Sequence, residues 1–397
     1  MYLAPAGTPV TLHDIASGVA TSWPAADAAV TAALRRISGL PYVSVVSSGR
    51  AAMTIILRAM RRASPGRDEV VIPAYTCYSV PAAIQRAGLK PRLCDVDPST
   101  LGMDPNALAR RDLSRTLAVI SANLYGLPND LVAIEAICRA QGVGFLDDAA
   151  QALGAALGGR PVGAFGDAGL YSFDKGKVIS TMQGGAIVCR ESALAATIAD
   201  EARMLPSATW LETTGNLLRL LVYSVGLRPT LYGVIRRLPF TGLGHTRYET
   251  RYPVSRLSRA QTGVAATLLQ RVSELNLARR LRAAEYEGIL SAMPGIVLPK
   301  RQPQAEAAYV RFPVRVPDPA VRNRFIRELD RSGIGASASY PSSLADVPEV
   351  VARIPAADRD CPGARELART ILTLPTHAFC PPGLAATVGR VYAACRA

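Results

Sequence analysis

Two residues of the sequence could together support the chemistry of a cofactor-bound amine. Lys177 closes the segment Tyr171-Ser172-Phe173-Asp174-Lys175-Gly176-Lys177, and Asp148 follows the apolar residues Phe145 and Leu146. A lysine can form an imine with an aldehyde, and a carboxylate can keep a pyridine nitrogen protonated. Pyridoxal phosphate chemistry needs both groups, together with donors for a phosphate and a contact on the ring face.

Neither residue indicates this chemistry when it is taken alone. Two acids after an apolar strand, Asp147 and Asp148, also fit a surface turn, and an isolated lysine is usually a solvated one. Lys175 competes with Lys177 as the reactive amine. The hypothesis therefore depends on further residues that would hold the remainder of the cofactor.

A candidate phosphate site lies near the start of the chain. The residues Ser47-Ser48-Gly49-Arg50-Ala51-Ala52 precede an apolar helix. Small residues there would let backbone N–H groups and the helix dipole hold a phosphate. Other phosphate motifs fit badly, because Tyr171 stands where a P-loop has its first glycine and no G-x-G-x-x-G follows a strand.

The surrounding pattern predicts strands that carry these residues. From about residue 40 to 190, short apolar runs alternate with helix-like stretches, which is typical of a doubly wound α/β sheet. Ligand sites of such sheets lie at the carboxyl ends of the strands. The predicted elements are strands at Glu69–Ile72, Thr116–Ile120 and Val143–Asp147, and a helix at Asp130–Ala140.

After Arg203 the alternation stops, and the pattern predicts a second domain. We expect a large domain over residues 1–250, with an apolar and basic insertion at about 205–250, and a smaller α+β domain over 251–397. A long helical stretch from about Leu257 to Met293 would connect the two. The smaller domain should contain strands near Tyr309–Val316 and Ile334–Ser339 and helices at Ala320–Arg331, Gly363–Thr370 and Leu384–Ala394.

Composition restricts the classes of protein. The 397 residues are 49% hydrophobic and 19% charged, as in a folded globular protein. The formal net charge of +14 is high, but the arginines are scattered and form no basic tail or RNA-binding motif, so we expect no nucleic-acid partner.

Seven cysteines without a C-x-x-C pair favour a reducing cytoplasm. Three histidines make a histidine-based metal site improbable, and no signal peptide is evident.

Taken in order, these stretches resemble the DegT/DnrJ/EryC1/StrS family of sugar aminotransferases, which have the fold-type-I architecture of pyridoxal 5'-phosphate (PLP) enzymes. The resemblance runs from about Pro41 to the C-terminus, with an interruption near 205–250. It rests on the motifs Ser48-Gly49-Arg50-Ala51-Ala52, Pro73-Ala74-Tyr75-Thr76, Tyr125-Gly126-Leu127-Pro128, Asp148-Ala149-Ala150-Gln151, Ser172-Phe173 followed by Lys177, Gly184-Gly185, Phe312-Pro313-Val314-Arg315-Val316 and Leu374-Pro375-Thr376-His377.

The resemblance implies a role for each matching residue. Lys177 would bond to the cofactor aldehyde and then act as acid and base in the 1,3-proton shift, while Asp148 would pair with the pyridine nitrogen. Gln151 would lie near the 3-oxygen of the cofactor. Ser172 and the Ser48–Arg50 turn, through the backbone of Gly49 and Arg50, would hold the phosphate.

Three positions depart from the family pattern. Cys77 stands where an aromatic ring often stacks on the cofactor, and Tyr75 or Tyr78 would have to replace it. Arg50 replaces a common threonine. Val254 lies where many members have an asparagine that reaches the phosphate of the partner subunit.

The resemblance implies an aminotransferase that moves an amino group from an amino acid, such as glutamate, to a keto-sugar, typically nucleotide-linked, in glycan or secondary-metabolite biosynthesis. It further implies a cytoplasmic homodimer with shared active sites. Two alternatives remain: a non-catalytic protein of the same fold with a regulatory or scaffolding role, and a sugar dehydratase of the same family. In those dehydratases histidine replaces the lysine, so Lys177 favours the aminotransferase.

The segment from residue 216 to 240 has no counterpart in this pattern. Asn216–Leu227 is apolar for about three helical turns apart from Arg219, and three further arginines follow, Arg228, Arg236 and Arg237. The run is too short to span a bilayer, which takes about 20 residues. It could be a helical hairpin packed on its own subunit or on the dimer mate, a helix pair on the inner surface of an anionic membrane, or a substrate lid.

Overall fold

The computed structural model describes residues 1–236 and 248–396, so Arg237 and His245 lie outside the described residues. The helices are α1 Leu12–Ala20, α2 Trp23–Ser38, α3 Gly49–Ala63, α4 Ser79–Arg86, α5 Pro105–Ala109, α6 Leu131–Ala140, α7 Ser192–Arg203, α8 Trp210–Gly226, α9 Pro229–Ile235, α10 Arg259–Leu269, α11 Val272–Leu290, α12 Pro319–Arg331, α13 Pro348–Val351, α14 Pro362–Thr370 and α15 Leu384–Arg396. The strands are β1 Tyr42–Val46, β2 Glu69–Pro73, β3 Lys90–Cys94, β4 Thr116–Ala122, β5 Gly144–Asp148, β6 Ala156–Leu157, β7 Arg160–Pro161, β8 Ala168–Ser172, β9 Gly185–Cys189, β10 Ala305–Glu306, β11 Phe312–Arg315 and β12 Ile371–Leu374.

A seven-stranded sheet in the order β1-β9-β8-β5-β4-β2-β3 forms the centre of the fold. The pairs β2–β3, β2–β4, β4–β5 and β5–β8 are parallel, and β9 runs antiparallel to both β1 and β8. All residues of β2 and β4 are buried, as expected for parallel strands that are covered on both faces. The predicted doubly wound sheet is therefore present, and β9, the second strand from one edge, is its antiparallel strand.

The two faces of this sheet bury different side chains of the same strands. Along β4, Ile120 belongs to one hydrophobic cluster and Val119 to the other, because successive side chains of a strand point to opposite faces. Helix α3 packs on one face, and Ser48 caps its first turn by accepting a hydrogen bond from the Ala51 N–H at 3.1 Å. Helix α6 begins in the same way, with the Asp130 carboxylate as its cap.

The C-terminal part of the chain contains the antiparallel pair β11–β12, and its helices α12 and α15 pack on each other. The helical stretch predicted from Leu257 to Met293 is interrupted between α10 and α11. Arg271 leaves the helical conformation there and forms an ion pair with Asp14 at 2.8 Å. Helix α10 packs on α1 and α2, whereas α11 packs on α15. The division near residue 250 remains a prediction.

The predicted strand at Ile334–Ser339 does not form as a continuous element. Ile334 pairs only with Leu3, and Ser337 only with Thr373, as isolated bridges among the described residues. The segment is thus bonded at separate points to the N-terminal residues and to β12, which fixes its position without a sheet.

Helices α8 and α9 occupy the apolar and basic segment. None of the described helices is long and apolar enough to cross a membrane. Helix α8 contacts α1 and α10, so the hairpin does pack on its own subunit. It nevertheless leaves large apolar side chains in solvent, which are considered below.

His377, in one of the family motifs, is buried and joins the C-terminal region to the N-terminus. Its Nε2–H donates to the carbonyl oxygen of Ala4 at 2.8 Å. Burial, together with the charges of Arg279 and Arg282, lowers the pKa of His377 from 6.5 to about 4, against the opposing effect of the hydrogen bond to Ala4. The imidazole is therefore neutral in the folded protein.

We predict that the folded protein loses stability as the pH falls from about 6.5 towards 4. The unfolded chain takes up a proton on His377 in this range and the folded chain does not, which costs up to about 3 kcal/mol. His377→Gln keeps a donor for Ala4 and cannot titrate, so its free energy of unfolding should depend less on pH. Urea denaturation at pH 7 and pH 5 measures both proteins, and equal pH dependence would contradict the assignment.

Candidate active site

The predicted site residues meet at the edge of the sheet where the parallel strands end. Asp148 is the last residue of β5 and Ser172 the last of β8. Tyr75 and Cys77 follow β2 by two and four residues. Parallel strands deliver their carboxyl ends to one edge of a sheet, so residues far apart in sequence converge there.

The Asp148 carboxylate is buried but keeps hydrogen-bonding capacity. Its side chain accepts one hydrogen bond from the described residues, from the Ala150 N–H to Oδ1 at 2.9 Å. Burial raises the pKa of Asp148 above its ordinary value, while the Ala150 N–H and the charge of Lys177 lower it. The positive charge of Lys177 therefore acts on the Asp148 carboxylate without forming an ion pair with it, and Oδ2 accepts no hydrogen bond from the described residues.

The neighbouring Asp147 is saturated by the protein. Its carboxylate accepts hydrogen bonds from the Asn123 amide at 2.8 Å and from the N–H groups of Gly163 at 2.5 Å and Phe165 at 3.3 Å. Burial raises the pKa of Asp147 to about 7, against the opposing effect of these donors. Asp147 thus ties β5 to the turn at 163–165, and Asp148 is the acid that can receive a cofactor.

Lys177 lies in the loop between β8 and β9, where its backbone is held on both sides. Its N–H donates to the carbonyl of Asp174 at 3.2 Å, and its own carbonyl accepts from the Thr8 hydroxyl at 2.6 Å. Lys177 is half-buried, whereas Lys175 is exposed. The geometry favours Lys177 over Lys175 as the reactive amine.

The buried Arg279 side chain is hydrogen-bonded to the loop that carries Lys177, and the sequence analysis did not identify this residue. Arg279 of α11 is 2% exposed and donates to the carbonyl of Val178 at 3.0 Å and to the Thr8 hydroxyl at 3.4 Å. Burial lowers the pKa of Arg279 to about 10. The sequence shows only one of several scattered arginine pairs, so it carries no signal that would distinguish this residue.

The candidate phosphate residues come together around two glycines. Ser48 forms a bridge with Gly184, and a Cβ on Gly185 would lie 2.6 Å from the Gly49 nitrogen. A Cβ on Gly49 would lie 3.0 Å from the Cβ of Ser172. Glycine is therefore required at position 185, and a side chain at position 49 would press on Ser172; this close approach creates a small polar cradle at the start of α3.

The Arg50 side chain points away from this cradle. Its guanidinium lies 3.4 Å from the Glu249 carboxylate and 4.6 Å from the centre of the Tyr252 ring. Only the backbone of Arg50 is thus placed to serve a phosphate, as the family resemblance implies. Val254, in the position of the family's asparagine, packs on the hydrophobic core of its own chain.

The aromatic residues near Cys77 are engaged by a loop that sequence reasoning missed. The Tyr75 hydroxyl accepts a hydrogen bond from the Tyr340 N–H at 2.5 Å and donates to the Tyr340 carbonyl at 3.0 Å. The Tyr78 ring stacks on the ring of Tyr340 with centroids 6.4 Å apart. Cys77 itself is half-buried. Tyr340 therefore joins the ring-face region from a distant part of the sequence.

Gln151 is bonded to two tyrosines of the same region. Its Oε1 accepts from the Tyr125 N–H at 3.0 Å, and its Nε2 lies 3.2 Å from the Tyr340 hydroxyl. Tyr125 has a positive φ of 59°, a conformation that is uncommon for a tyrosine and fixes this turn after β4. Gln151 is thereby held at the mouth of the site close to Asp148 in sequence.

These observations fit PLP. The site offers a lysine, a buried acid with an available oxygen and a cradle that any Cβ on its glycines would fill. In addition, the hydroxyl of Thr76 is buried without a hydrogen-bond partner among the described residues, in the turn that carries Tyr75 and Cys77. The fold is that of a fold-type-I PLP-dependent transferase.

The comparisons with known proteins agree. The profile of the DegT/DnrJ/EryC1/StrS aminotransferase family matches residues 16–390. The chain belongs to this family, which confirms the resemblance drawn from the motifs and the prediction of an aminotransferase. The aminotransferase TlmJ from Streptoalloteichus hindustanus has the same fold, with a TM-score of 0.79 at 23% identity over 100% of this chain and 99% of that one.

Two characterised relatives carry different names. The chain is 29% identical over 309 residues to the erythromycin biosynthesis sensory transduction protein EryC1 of Saccharopolyspora erythraea, covering 78% of this chain and 74% of that protein. It is 27% identical over 341 residues to the dTDP-4-dehydro-2,3,6-trideoxy-D-glucose 4-aminotransferase of Saccharopolyspora spinosa, covering 84% and 79%. The family thus includes proteins named for an enzymatic and for a signalling role.

We predict that borohydride reduction of the PLP-loaded protein fixes the cofactor to Lys177 and not to Lys175. The reason is that Lys177 is half-buried and interacts with Asp148, whereas Lys175 is exposed. Peptide mapping by mass spectrometry locates the label. Lys175→Ala should still be labelled and Lys177→Ala should not, and a label on Lys175 in the wild type would refute the assignment.

Proposed function

We propose that this protein is a PLP-dependent aminotransferase that moves an amino group from glutamate or a similar amino acid to a keto-sugar, typically nucleotide-linked, in glycan or secondary-metabolite biosynthesis. The observation that carries the proposal is the buried Asp148 carboxylate at the carboxyl edge of the sheet, whose Oδ2 accepts no hydrogen bond from the described residues and which feels the positive charge of Lys177. The relative from Saccharopolyspora spinosa, which is named for a nucleotide-sugar substrate, supports the substrate class.

Each residue of the site has a defined task in this proposal. When bound, PLP would supply an electron sink that stabilises negative charge at the substrate carbon that carries the amino group. Asp148 would keep the pyridine nitrogen of the cofactor protonated through its available oxygen. Lys177 would hold the cofactor and then act as acid and base in the 1,3-proton shift between the substrate and the cofactor. The cradle of Ser48, Gly49 and Ser172, with the backbone of Arg50, binds the phosphate.

The remaining residues orient the ring. Gln151 is fixed by Tyr125 and Tyr340, and in this proposal its amide would interact with the 3-oxygen of the cofactor. Cys77 and Tyr75 lie on the turn that would face the ring. Since Tyr75 is fully buried and bonded to Tyr340, it supports the turn, and Cys77 is the residue with exposure left for contact.

A non-catalytic role is the main alternative, and the relative named as a sensory transduction protein gives it some basis. A protein that acts only as a scaffold has no need for a half-buried lysine next to a buried carboxylate, because this pair costs desolvation energy. The retained pair therefore favours the enzyme over the regulator. It also favours the aminotransferase over the dehydratases that have histidine at this position.

The cytoplasmic homodimer with shared sites is a further part of the proposal, and its support is the family resemblance. In the described chain, the segment before α10 lies next to the phosphate cradle of its own subunit. The Ser47 N–H donates to the carbonyl of Ser255 at 2.9 Å, one residue from Ser48. A neighbouring subunit that approaches the site would meet this segment first.

We further propose that the outer face of α8 and α9 contacts an anionic membrane. This face, which we call the α8–α9 face, exposes large apolar side chains, with Trp210 exposed by 73% and Leu211 by 65%. The other members are Leu218, Leu221, Val222, Val225, Leu231 and Val234. Exposed apolar residues in such number mark an interaction surface.

Charge selects lipid over a second copy of the chain. Arg219 is exposed on α8, and Arg228 is exposed directly before the start of α9. Each basic residue near an anionic bilayer adds about 1 kcal/mol to binding, whereas a symmetric contact between two copies brings like charges together. The exposed Trp210 also suits a membrane interface.

The aminotransferase proposal predicts that an amino donor converts bound PLP to pyridoxamine phosphate. A screen of amino acids against the purified protein, followed by absorbance of the cofactor, tests it. In the wild type, at least one donor should bleach the PLP band. Asp148→Asn should retain PLP but lose most of this conversion, because a neutral partner no longer favours the protonated ring.

Asp147→Asn is the matched control for this experiment. Asp147 is bonded to three protein donors, so its substitution should lower stability while the folded fraction still converts the cofactor. Conversion at the wild-type rate by Asp148→Asn would refute its role. Failure of every donor with the wild type would favour the regulatory alternative.

The membrane proposal predicts that the wild-type protein floats with vesicles rich in anionic lipid at low salt. Arg219→Gln with Arg228→Gln should reduce co-flotation, and so should added salt, because both weaken the electrostatic part. Arg110→Gln with Arg190→Gln removes the same charge from exposed positions outside α8 and α9 and should have little effect.

Leu218→Gln with Val222→Gln should abolish flotation without loss of stability, since both side chains are exposed. If the wild type stays unbound and this double variant changes the oligomeric state, the α8–α9 face is covered by a second copy instead.

A further inference from the structure

Arg311 stands between the Lys177 loop and the tyrosines around Gln151. It immediately precedes β11, in a segment that crosses the site and is bonded to the large sheet through the Ala308 N–H, which donates to the Gly126 carbonyl at 2.9 Å. Tyr309, in the same segment, has a positive φ of 47°. The backbone that carries Arg311 is thus held against the turn after β4.

The guanidinium reaches the residue before the candidate Schiff-base lysine. Its Nη2 lies 3.9 Å from the position that a Cβ would take on Gly176. Its positive charge lowers the pKa values of the Tyr125 and Tyr340 hydroxyls, in opposition to their burial. Arg311 therefore shares the space that is bounded by Lys177, Tyr125 and Tyr340, which is where a substrate must enter.

Arg311 lacks an anionic partner in the part of the chain that the structure describes. No described carboxylate lies within 4 Å of it, and no described acceptor forms a hydrogen bond with it, although the side chain is half-buried. Two other half-buried arginines do have carboxylate partners, since Arg92 contacts Asp358 and Glu69 and Arg160 contacts Glu135. A partly desolvated guanidinium without a partner is costly, and an anionic ligand would remove this cost.

The ligand anion that fits here is a carboxylate. The cofactor phosphate is already accounted for by the cradle of Ser48, Gly49 and Ser172. A guanidinium presents two parallel N–H donors that match a carboxylate in geometry and charge. An amino acid donor carries such a group next to the amine that must reach Lys177.

We propose that Arg311 binds a carboxylate of the substrate that reacts at Lys177, and so selects carboxylate-bearing substrates. The proposal rests on the aminotransferase function proposed above. A site that pairs a buried cation with a substrate carboxylate rejects the analogue that lacks this group, because the cation is then left unpaired. Simple amines should accordingly react poorly even though their amino group is the same.

Equilibrium binding of an unreactive dicarboxylate tests the proposal independently of catalysis. Glutarate should bind the PLP-loaded wild type in isothermal titration calorimetry. Arg311→Met keeps the aliphatic stem and loses the charge, so its Kd for glutarate should rise roughly 10- to 100-fold. Arg311→Lys keeps the charge without the paired donors and should give a smaller rise. Arg110→Met, an exposed arginine outside the site, should bind glutarate as the wild type does.

A second measurement identifies the source of the carboxylate. Conversion of bound PLP is followed with L-glutamate and with propylamine. If Arg311→Met weakens glutarate binding and slows conversion by glutamate but not by propylamine, the carboxylate belongs to the amino donor. If it weakens glutarate binding and leaves conversion by glutamate unchanged, the carboxylate belongs to the keto substrate.

Three results would overturn the proposal. These are failure of glutarate to bind the wild type, equal glutarate affinity in Arg311→Met and the wild type, and a loss of PLP affinity in this variant without a change in glutarate binding. The last result would assign Arg311 to the cofactor phosphate. If no donor converts the wild type, the aminotransferase function fails, while glutarate binding still decides the role of Arg311. Should Arg311→Met not fold, Arg311→Lys carries the comparison.

Discussion

The effect of the Lys177 charge on the buried Asp148 carboxylate is the electrostatic constraint on which the rest of the site depends. Burial alone raises the pKa of an acid, because the charged form loses water. The positive charge of Lys177 opposes this effect at Asp148, so the site can keep a negative charge in a protected place. The pair is useful only if Asp148 is not consumed by other protein donors. The neighbouring Asp147 instead accepts three hydrogen bonds from protein donors, and these bonds fix the end of β5.

Holding Lys177 in place requires residues from three remote parts of the chain. Thr8 comes from the N-terminal segment, Arg279 from α11 and Tyr223 from α8. The Tyr223 hydroxyl accepts a hydrogen bond from the Thr8 N–H at 3.0 Å, and the Thr8 hydroxyl in turn donates to the Lys177 carbonyl at 2.6 Å. The N-terminal segment, α8 and α11 therefore all help to hold the Lys177 loop, although none of them supplies a residue that would react. Movement of α8 would reach Lys177 through only two hydrogen bonds.

The sequence was informative where the chemistry is local, and uninformative where the fold brings distant residues together. Asp148 could be placed because an apolar strand precedes it, and the cradle because Ser48 and Gly49 start a helix. Tyr340 could not be found, since it belongs to a segment whose predicted strand exists only as isolated bridges. Arg311 lay inside a predicted strand and gave no sign that it faces the site. The break between α10 and α11 was also hidden, because the ion pair of Arg271 with Asp14 joins residues more than 250 positions apart.

Helix α8 shows a further limit of pattern reading. Its apolar residues were evident, but their direction was not. The helix buries polar residues on its own chain, among them Asn216 and Ser224, and exposes Leu218 and Val222. The completely buried Leu220 is thus the part of the apolar surface of α8 that faces the core, whereas a helix that packs on a core usually turns its whole apolar stripe inward. The Asn216 amide donates to Gln261 of α10 at 3.4 Å, so polar contacts replace part of the usual apolar packing.

The two faces of α8 have different neighbours, which explains why polar side chains are buried and apolar side chains are exposed on this helix. Its inner face has to place the Tyr223 hydroxyl against Thr8, where hydrogen bonds and not apolar contacts set the position of the Lys177 loop. Its outer face is then free to carry apolar side chains, which gain free energy only when something outside this chain covers them. A partner that covers the α8–α9 face would therefore stabilise helix α8 in its position on its own subunit. Because Tyr223 and Thr8 connect α8 to Lys177, any partner on that face is physically coupled to the geometry of the active site.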